Sequence, residues 1–320
     1  MSTYDVIIQQ LIVGITNGLI IALIALGYSM VYGVVDLINF AHGDLFMLGC
    51  FCALTIVGIY GDPAALSSLE LIVLFIVLFL VVPVFCAALN WLIDRLAYKP
   101  VRGSPKLVPL VSAIGVSFIL LNVGLFWGGL PLVVFGNGAA ASAAKDFPSI
   151  FSFDNLLGSE NNIFISTREI FVFAVTVPLL LAFSFIVRFT KTGIAMRAVA
   201  QDATAASLMG IHVDRTIGLA FVFGGALAGV ASIVYCVYNN TVFYQMGYRV
   251  GIDAFSAAVL GGIGNLIGAC LGGLLIGLVR SMSDQFIGTS WTNVAVFSVL
   301  ILVLIFRPQG LLGSKAKEKI

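Results

Sequence analysis

Runs of about 20 apolar residues recur along the whole of this chain, and that recurrence leaves few folds open. Coiled as a helix, such a run covers a hydrocarbon core of about 30 Å, where only helices or closed barrels satisfy their own backbone. Of the 320 residues, 60% are apolar and 10% charged, with a mean hydropathy of +1.11. Soluble domains hold roughly 45–50% apolar and 25% charged residues. The chain therefore reads as all-α, a polytopic membrane helix bundle of about eight or nine segments, in a single domain over 1–320 with no soluble domain of ordinary size. The first ten residues carry Asp5 and no Lys or Arg, unlike the basic start of a cleaved signal peptide, so the first apolar run is expected to be retained.

Charge is scarce enough that its placement gives orientation. Arg95, Lys99, Arg102 and Lys106 form one basic cluster. Arg188, Lys191, Arg197 and Arg215 form a second, and Arg307, Lys315, Lys317 and Lys319 a third. Lys145, Arg168, Arg249 and Arg280 fall elsewhere. The positive-inside rule puts the three clusters on the cytoplasmic face, with the N-terminus outside and the C-terminus inside.

In chain order, spans are expected at Leu11–Val35, Leu71–Leu96, Leu107–Leu130, Ile170–Val187, Ile217–Tyr238 and Asn293–Phe306. Leu45–Tyr60 is short for a crossing and either tilts or takes in part of the polar segment before it. Residues 131–167, rich in Gly, Ser, Asn and Asp, form an external loop. Val250–Val279 is interrupted by glycines and Asn265, and alternation requires it to begin and end outside. It is either a re-entrant pair of half-helices or two short spans meeting near Gly264–Asn265.

Enzyme chemistry finds no footing. There is no GxxxxGK[ST] phosphate loop, no HExxH and no GxSxG, and the two histidines, His42 and His212, stand too far apart for a metal set. Neither a cofactor nor a metal is expected, and nucleic acid is not an expected partner. The five cysteines all lie in apolar runs and read as packing residues. Two polar interruptions are candidates for a translocation path. In Asp36–Asp44, a cytoplasmic turn competes with a broken-helix element that turns Asn39, His42 and the Gly43 backbone toward a path, beside Tyr28 on the preceding span. At Gly261, Gly262, Gly264 and Asn265, tight small-residue packing competes with a gate or pore-lining hinge. Arg249 and Asp253 read as a plain external surface pair, with a docking point as the other possibility.

The stretch Lys191–Arg215 is a polar island between apolar runs. Ala195, Val199, Ala203, Ala206 and Met209 recur at spacings of three or four, which predicts one short amphipathic helix over Ala195–Met209. Gly210 is its C-terminal cap, with Ile211 folding back. A helix of that form fits a groove on another protein. Because the chain lacks a phosphate loop of its own, energy would come from another chain through the exposed face of this helix.

These residues resemble a known family. RAVAQDATAASLMGIHVDR is similar to the cytoplasmic signature of ABC importer permeases, a helix with paired alanines followed by a glycine. The likeness continues in YSMVYGVVDLINFAHGDLFMLG from Tyr28, DRLAYKPVRGSPKLVPLVSAIG from Asp94, AAVLGGIGNLIGACLGGLLIG from Ala257 and RPQGLLG from Arg307. Together they resemble the permeases of high-affinity branched-chain amino acid importers, the first of that system's two permeases above all. The resemblance implies a bacterial inner-membrane importer. Its parts are two related permeases in the lipid bilayer, two ATPase subunits and an external or periplasmic binding protein that delivers the amino acid substrate. It also implies that Arg197, Ala198, Gln201, Asp202, Ala205, Ala206 and Gly210 couple to the ATPase. Relatives serving urea or short amides leave the substrate open. A proton-coupled secondary transporter is the competing class, opposed by the near-absence of ionisable residues expected inside the spans.

Overall fold

A computed structural model describes residues 3–37, 39–105, 107–138, 140–158 and 162–313. The basic residues Lys106, Lys315, Lys317 and Lys319 lie outside them. Among the described residues, eight helices are long and apolar enough to cross a membrane. In chain order the helices are α1 (Thr3–Val35), α2 (Ala41–Tyr60), α3 (Ser68–Ile93), α4 (Leu107–Gly128) and α5 (Thr167–Phe189). Two short helices follow, α6 (Lys191–Gln201) and α7 (Ala203–Leu208). The chain then forms α8 (Val213–Asn239), α9 (Met246–Gly261), α10 (Leu266–Phe286) and α11 (Thr292–Phe306).

The two ends of the bundle differ in character. Arg95, Lys99, Arg188, Arg197 and Arg215 gather at one, hereafter the basic end, beside the α9–α10 turn. The other, the loop end, carries the 129–166 connection, in which Lys145–Asp146 pairs antiparallel with Thr241–Val242 after α8. Both α3 and α5 start at the loop end with capping boxes. Ser67 Oγ accepts from Glu70 N while Glu70 returns a bond to Ser67 N at 2.8 Å, and Ser166 and Glu169 do the same.

The interior is built from α1, α2, α8 and the α9–α10 pair. Small residues set a tight seam in it, where Gly14, Gly18 and Ala22 of α1 face Gly273 and Gly277 of α10. A Cβ added to Gly18 would stand 2.8 Å from the Leu274 Cα, and one on Gly273 would stand 2.5 Å from the Ala22 Cα. Between helices that gain little from hydrophobicity in lipid, such backbone contact supplies the dispersion energy. Across α3, α4, α5 and α11 the outward residues are apolar and exposed, among them Leu80, Phe118, Leu181 and Ile305. That is the surface of a protein whose solvent is hydrocarbon. The five cysteines are unpaired, four of them buried and Cys270 partly so, which fits the packing role.

Helix α2 does not begin where α1 ends. Asp36 takes a left-handed turn at φ 56°, and the chain climbs back into the bundle before α2 starts. A Cβ on Gly27 would meet His42 Nε2, and Gly27 lies about 12 Å along α1 from Val35. The first turn of α2 is therefore deep inside protein, and His42–Asp44 belongs to a helix rather than to a surface turn. This supplies the missing length of the Leu45–Tyr60 run.

The 250–279 region resolves as two helices joined by a turn, of which α10 but not α9 is among the eight long and apolar enough to cross a membrane. Helix α9, of 16 residues, descends to the basic end, and α10 returns. Their junction at 262–265 sits at the bundle end, not at mid-depth.

Candidate functional site

Three groups of residues carry the polar chemistry, and the first is the basic end. The expected single helix over Ala195–Met209 is instead two, because Asp202 leaves helical geometry at φ −157° and ψ 108°. Asp202 gains a role by doing so. Its carboxylate accepts from Thr204 N at 2.8 Å and Ala205 N at 2.9 Å and caps α7. Thr190 caps α6 in the same way, accepting from Gly193 N at 3.2 Å. The predicted stripe is corrected accordingly. Gly193, Met196, Val199 and Ala206 face inward, whereas Ala203 and Met209 are exposed.

The cap at Gly210 stands as predicted, with φ +84° and Ile211 N donating to the Ala206 carbonyl at 3.0 Å in a Schellman closure. Arg197, Gln201, Asp202, Ala205 and Gly210 are exposed, Ala198 is half-buried and Ala206 is buried. Arg197 donates to the Arg188 carbonyl at 3.0 Å, which locks α6 to the end of α5. Leu208 and Met209 stand 84% and 83% exposed, a bare apolar tip on the shorter helix.

Two grooves flank this pair of helices. One of about 860 Å³ runs along α7 and the start of α8, with Trp91, Arg95 and Lys99 on its far wall. The other, of about 780 Å³, lies between α6 and the α9–α10 turn, between Arg197 and Asn265. Ion pairs tie the segment after α7 to the end of α3. Lys99 pairs with Asp214 at 2.8 Å, and Arg102 bridges Asp214 at 3.0 Å and Asp94 at 2.5 Å, which ties the start of α8 to the π-helical turn Asp94–Tyr98 after α3. Higher up, Gly225 and Gly229 bring α8 onto the α3 backbone at Cys86 and Pro83.

The second group is the buried layer around the start of α2. Asn39, 2% exposed, donates to Asn90 Oδ1 at 3.3 Å and accepts from the Tyr98 hydroxyl at 3.0 Å, while Asn90 donates to the Phe221 carbonyl at 2.7 Å. His42 is fully buried, edge-on to Tyr28 at 4.7 Å between ring centroids. Asp44 accepts from Ser117, and its Oδ1 has no hydrogen-bond partner among the described residues. Gly43 lets α2 and α9 touch backbone to backbone at Gly247 and Gly251. Tyr28, Asn39, His42 and Gly43 are thus brought together, enclosed by this chain. The cavity against Tyr28 and Phe255 is about 10 Å³, the size of one water.

Gly261, Gly262, Gly264 and Asn265 are not part of that layer. Asn265 caps α10 by accepting from Gly268 N at 3.0 Å and donates to the Leu312 carbonyl at 2.6 Å. Leu311 N and Leu312 N donate to the Leu260 and Gly261 carbonyls, which closes the end of α9 with the C-terminal segment. Gly264 N donates to Ser29 Oγ at 3.1 Å. These contacts pack the α9–α10 turn against α1 and the C-terminal segment.

The third group escaped sequence reasoning. Asp253 pairs with Arg280 of α10 and not with Arg249, and the pair is buried, with side chains 9% and 13% exposed. The bundle helices therefore do hold ionisable groups away from solvent, Asp44, Asp253 and Arg280, contrary to expectation. Residues 253 and 280 are too far apart in the chain for any local pattern to join them. The capping boxes at Ser67 and Ser166 also went unread, although Ser-x-x-Glu is the signal that would have found them.

Of the elements on which the family likeness rested, the glycine-closed helix between two spans is present at α7, with α6 as a separate helix before it. The family described as the permease component of the branched-chain amino acid transport system matches residues 10–306. The chain belongs to this family. The permease is 37% identical to LivH of Salmonella typhimurium, a high-affinity branched-chain amino acid transport system permease protein, over 98% of this chain and 97% of that one. It is likewise 37% identical to BraD of Pseudomonas aeruginosa, over 98% of each chain. A probable branched-chain amino acid transport permease of Methanocaldococcus jannaschii shares 29% identity over 93% of this chain and 90% of its own. No solved structure matches the permease.

Proposed function

We propose that this permease is the membrane-spanning half-path of an ATP-driven importer of branched-chain amino acids, powered at the basic end by separate ATPase subunits. The carrying observation is the α6–α7 pair, two capped helices closed by Gly210, exposed between grooves and fused to α8. Sequence likeness to LivH and BraD over nearly the full chain supports the same reading. The basic end is cytoplasmic and the loop end external, by the positive-inside rule. A second, related permease completes the path, and an external binding protein supplies substrate at the loop end.

In this account the ATPase grips the Leu208–Met209 tip and the flanking grooves. Its closure on ATP moves α6–α7, and the Lys99–Asp214–Arg102–Asp94 network carries the motion to α3 and α8 together. A switch of this kind needs about 5.5 kcal/mol of differential binding to invert a 1:99 population, within the reach of nucleotide-driven dimer closure. The layer of Tyr28, Asn39, His42 and Gly43 is the closed part of the route. The buried Asp253–Arg280 pair is internally neutralised, so it gives a proton-coupled carrier no free group.

Replacing Asp202 by Lys removes the α7 cap, and replacing Gly210 by Trp obstructs the groove it lines. Each variant is expected to lose both ATPase co-purification and leucine uptake in cells lacking their own system. Uptake that persists without ATPases would refute the importer reading.

A further inference from the structure

Between α1, α8, α9 and α10 at the loop end lies a cavity of about 340 Å³ that no step above uses. Ligand pockets span roughly 300–1,000 Å³, so this one suits a single small molecule. Its polar lining holds two cations, Arg249 and Arg280, and two anions, Asp253 and Asp284. Val13, Ile20, Ile21 and Val250 supply an apolar wall. Asp253 is 6% exposed and faces this space, held by Arg280. Arg280 also reaches Asn293 Oδ1 at 3.4 Å, and Asp284 accepts from Thr292. Arg249 is exposed and makes no ion pair with the described residues. The mouth is polar, with Asn239, Arg249 and Asp284 exposed at the loop end.

The balance of charge identifies the ligand class. Two opposite pairs sum to zero, which repels a free anion or cation less than it rewards a molecule that carries both signs. Intramembrane charge is costly to keep and marks a site where it faces a cavity. We propose that this cavity is a low-affinity station for an α-amino acid zwitterion. The carboxylate would lie against Arg249, the ammonium against Asp284, and the aliphatic side chain along Ile20, Ile21 and Val250. The Asp253–Arg280 pair forms the polar floor. This assignment rests on the importer reading for the identity of the amino acid.

The test uses the assembled membrane complex without its binding protein and measures thermal protection by leucine. The comparison ligands are 3-methylbutylamine, which lacks the carboxylate, and 4-methylpentanoate, which lacks the ammonium. Leucine is expected to protect and neither analogue to do so. Arg249→Gln and Asp284→Asn, both surface changes, are expected to raise the half-protecting leucine concentration about tenfold, with Arg249→Lys in between. Equal protection by all three ligands, or unchanged leucine protection in both variants, overturns the station. Leucine uptake by the same complexes with their binding protein is read in parallel. Uptake without leucine protection overturns the station and leaves the importer standing, whereas absence of branched-chain uptake overturns the importer reading and this ligand with it.

Discussion

Gly43→Ala tests the depth of α2 directly. A Cβ at this position would stand 2.8 Å from the Gly251 Cα and closer still to the Gly247 carbonyl oxygen, where ordinary contact begins at 3.4 Å. The α2 and α9 backbones must part by about 0.6 Å on the first contact alone, and no side-chain rotation relieves a clash with backbone. Overpacking of this kind costs about 1–3 kcal/mol. Gly115 of α4 is the matched control, since an added Cβ there meets nothing within 4 Å. Alanine in such a helix interior gains roughly 0.5–1 kcal/mol over glycine. Gly43 is helical too, so that gain is common to both variants, and unfolding of the purified chain in detergent should separate them by about 1–3 kcal/mol, with Gly43→Ala the weaker. If Gly43→Ala is as stable as Gly115→Ala, α2 and α9 do not meet as described.

Other consequences follow from the same contacts. Asp253→Asn strands the Arg280 charge and is expected to cost about 3–5 kcal/mol, with Arg280→Gln similar and the double variant well short of their sum in a denaturation cycle. Asn265→Ala loses the α10 cap and the bond to the Leu312 carbonyl, for about 0.5–2 kcal/mol of stability and faster proteolysis of the C-terminal segment. Gly210→Ala has open space around it but a positive φ, so it should strain the α7 closure by roughly 1–2 kcal/mol. Gly210→Asn, which tolerates that geometry, should largely restore co-purification of the ATPase.

The spans could be read from hydropathy because lipid demands one long apolar run for each crossing. The Gly210 cap was also visible, dictated by a local requirement. The α6–α7 break was not, because Asp202 sits where periodicity continues and only its capping bonds favour interruption. The start of α2 at Ala41 was legible only as one of two alternatives, since a polar His-Gly-Asp segment reads equally as a turn until protein, rather than water or lipid, surrounds it. The Asp253–Arg280 pair depends on the α9–α10 hairpin bringing two distant turns together, and Arg249 offered a nearer and misleading partner.

The central claim, that α7 meets an ATPase, is open to a direct contact measurement. A single cysteine at Leu208, 84% exposed, and one at Val133, 85% exposed at the opposite end, would be placed in a chain cleared of its native cysteines. Cross-linking in membranes that contain the ATPase subunits is then read by mass. The account predicts an ATPase adduct from position 208 and none from position 133. ATPase adducts from position 133, or none from position 208 in a complex that still transports leucine, would contradict it.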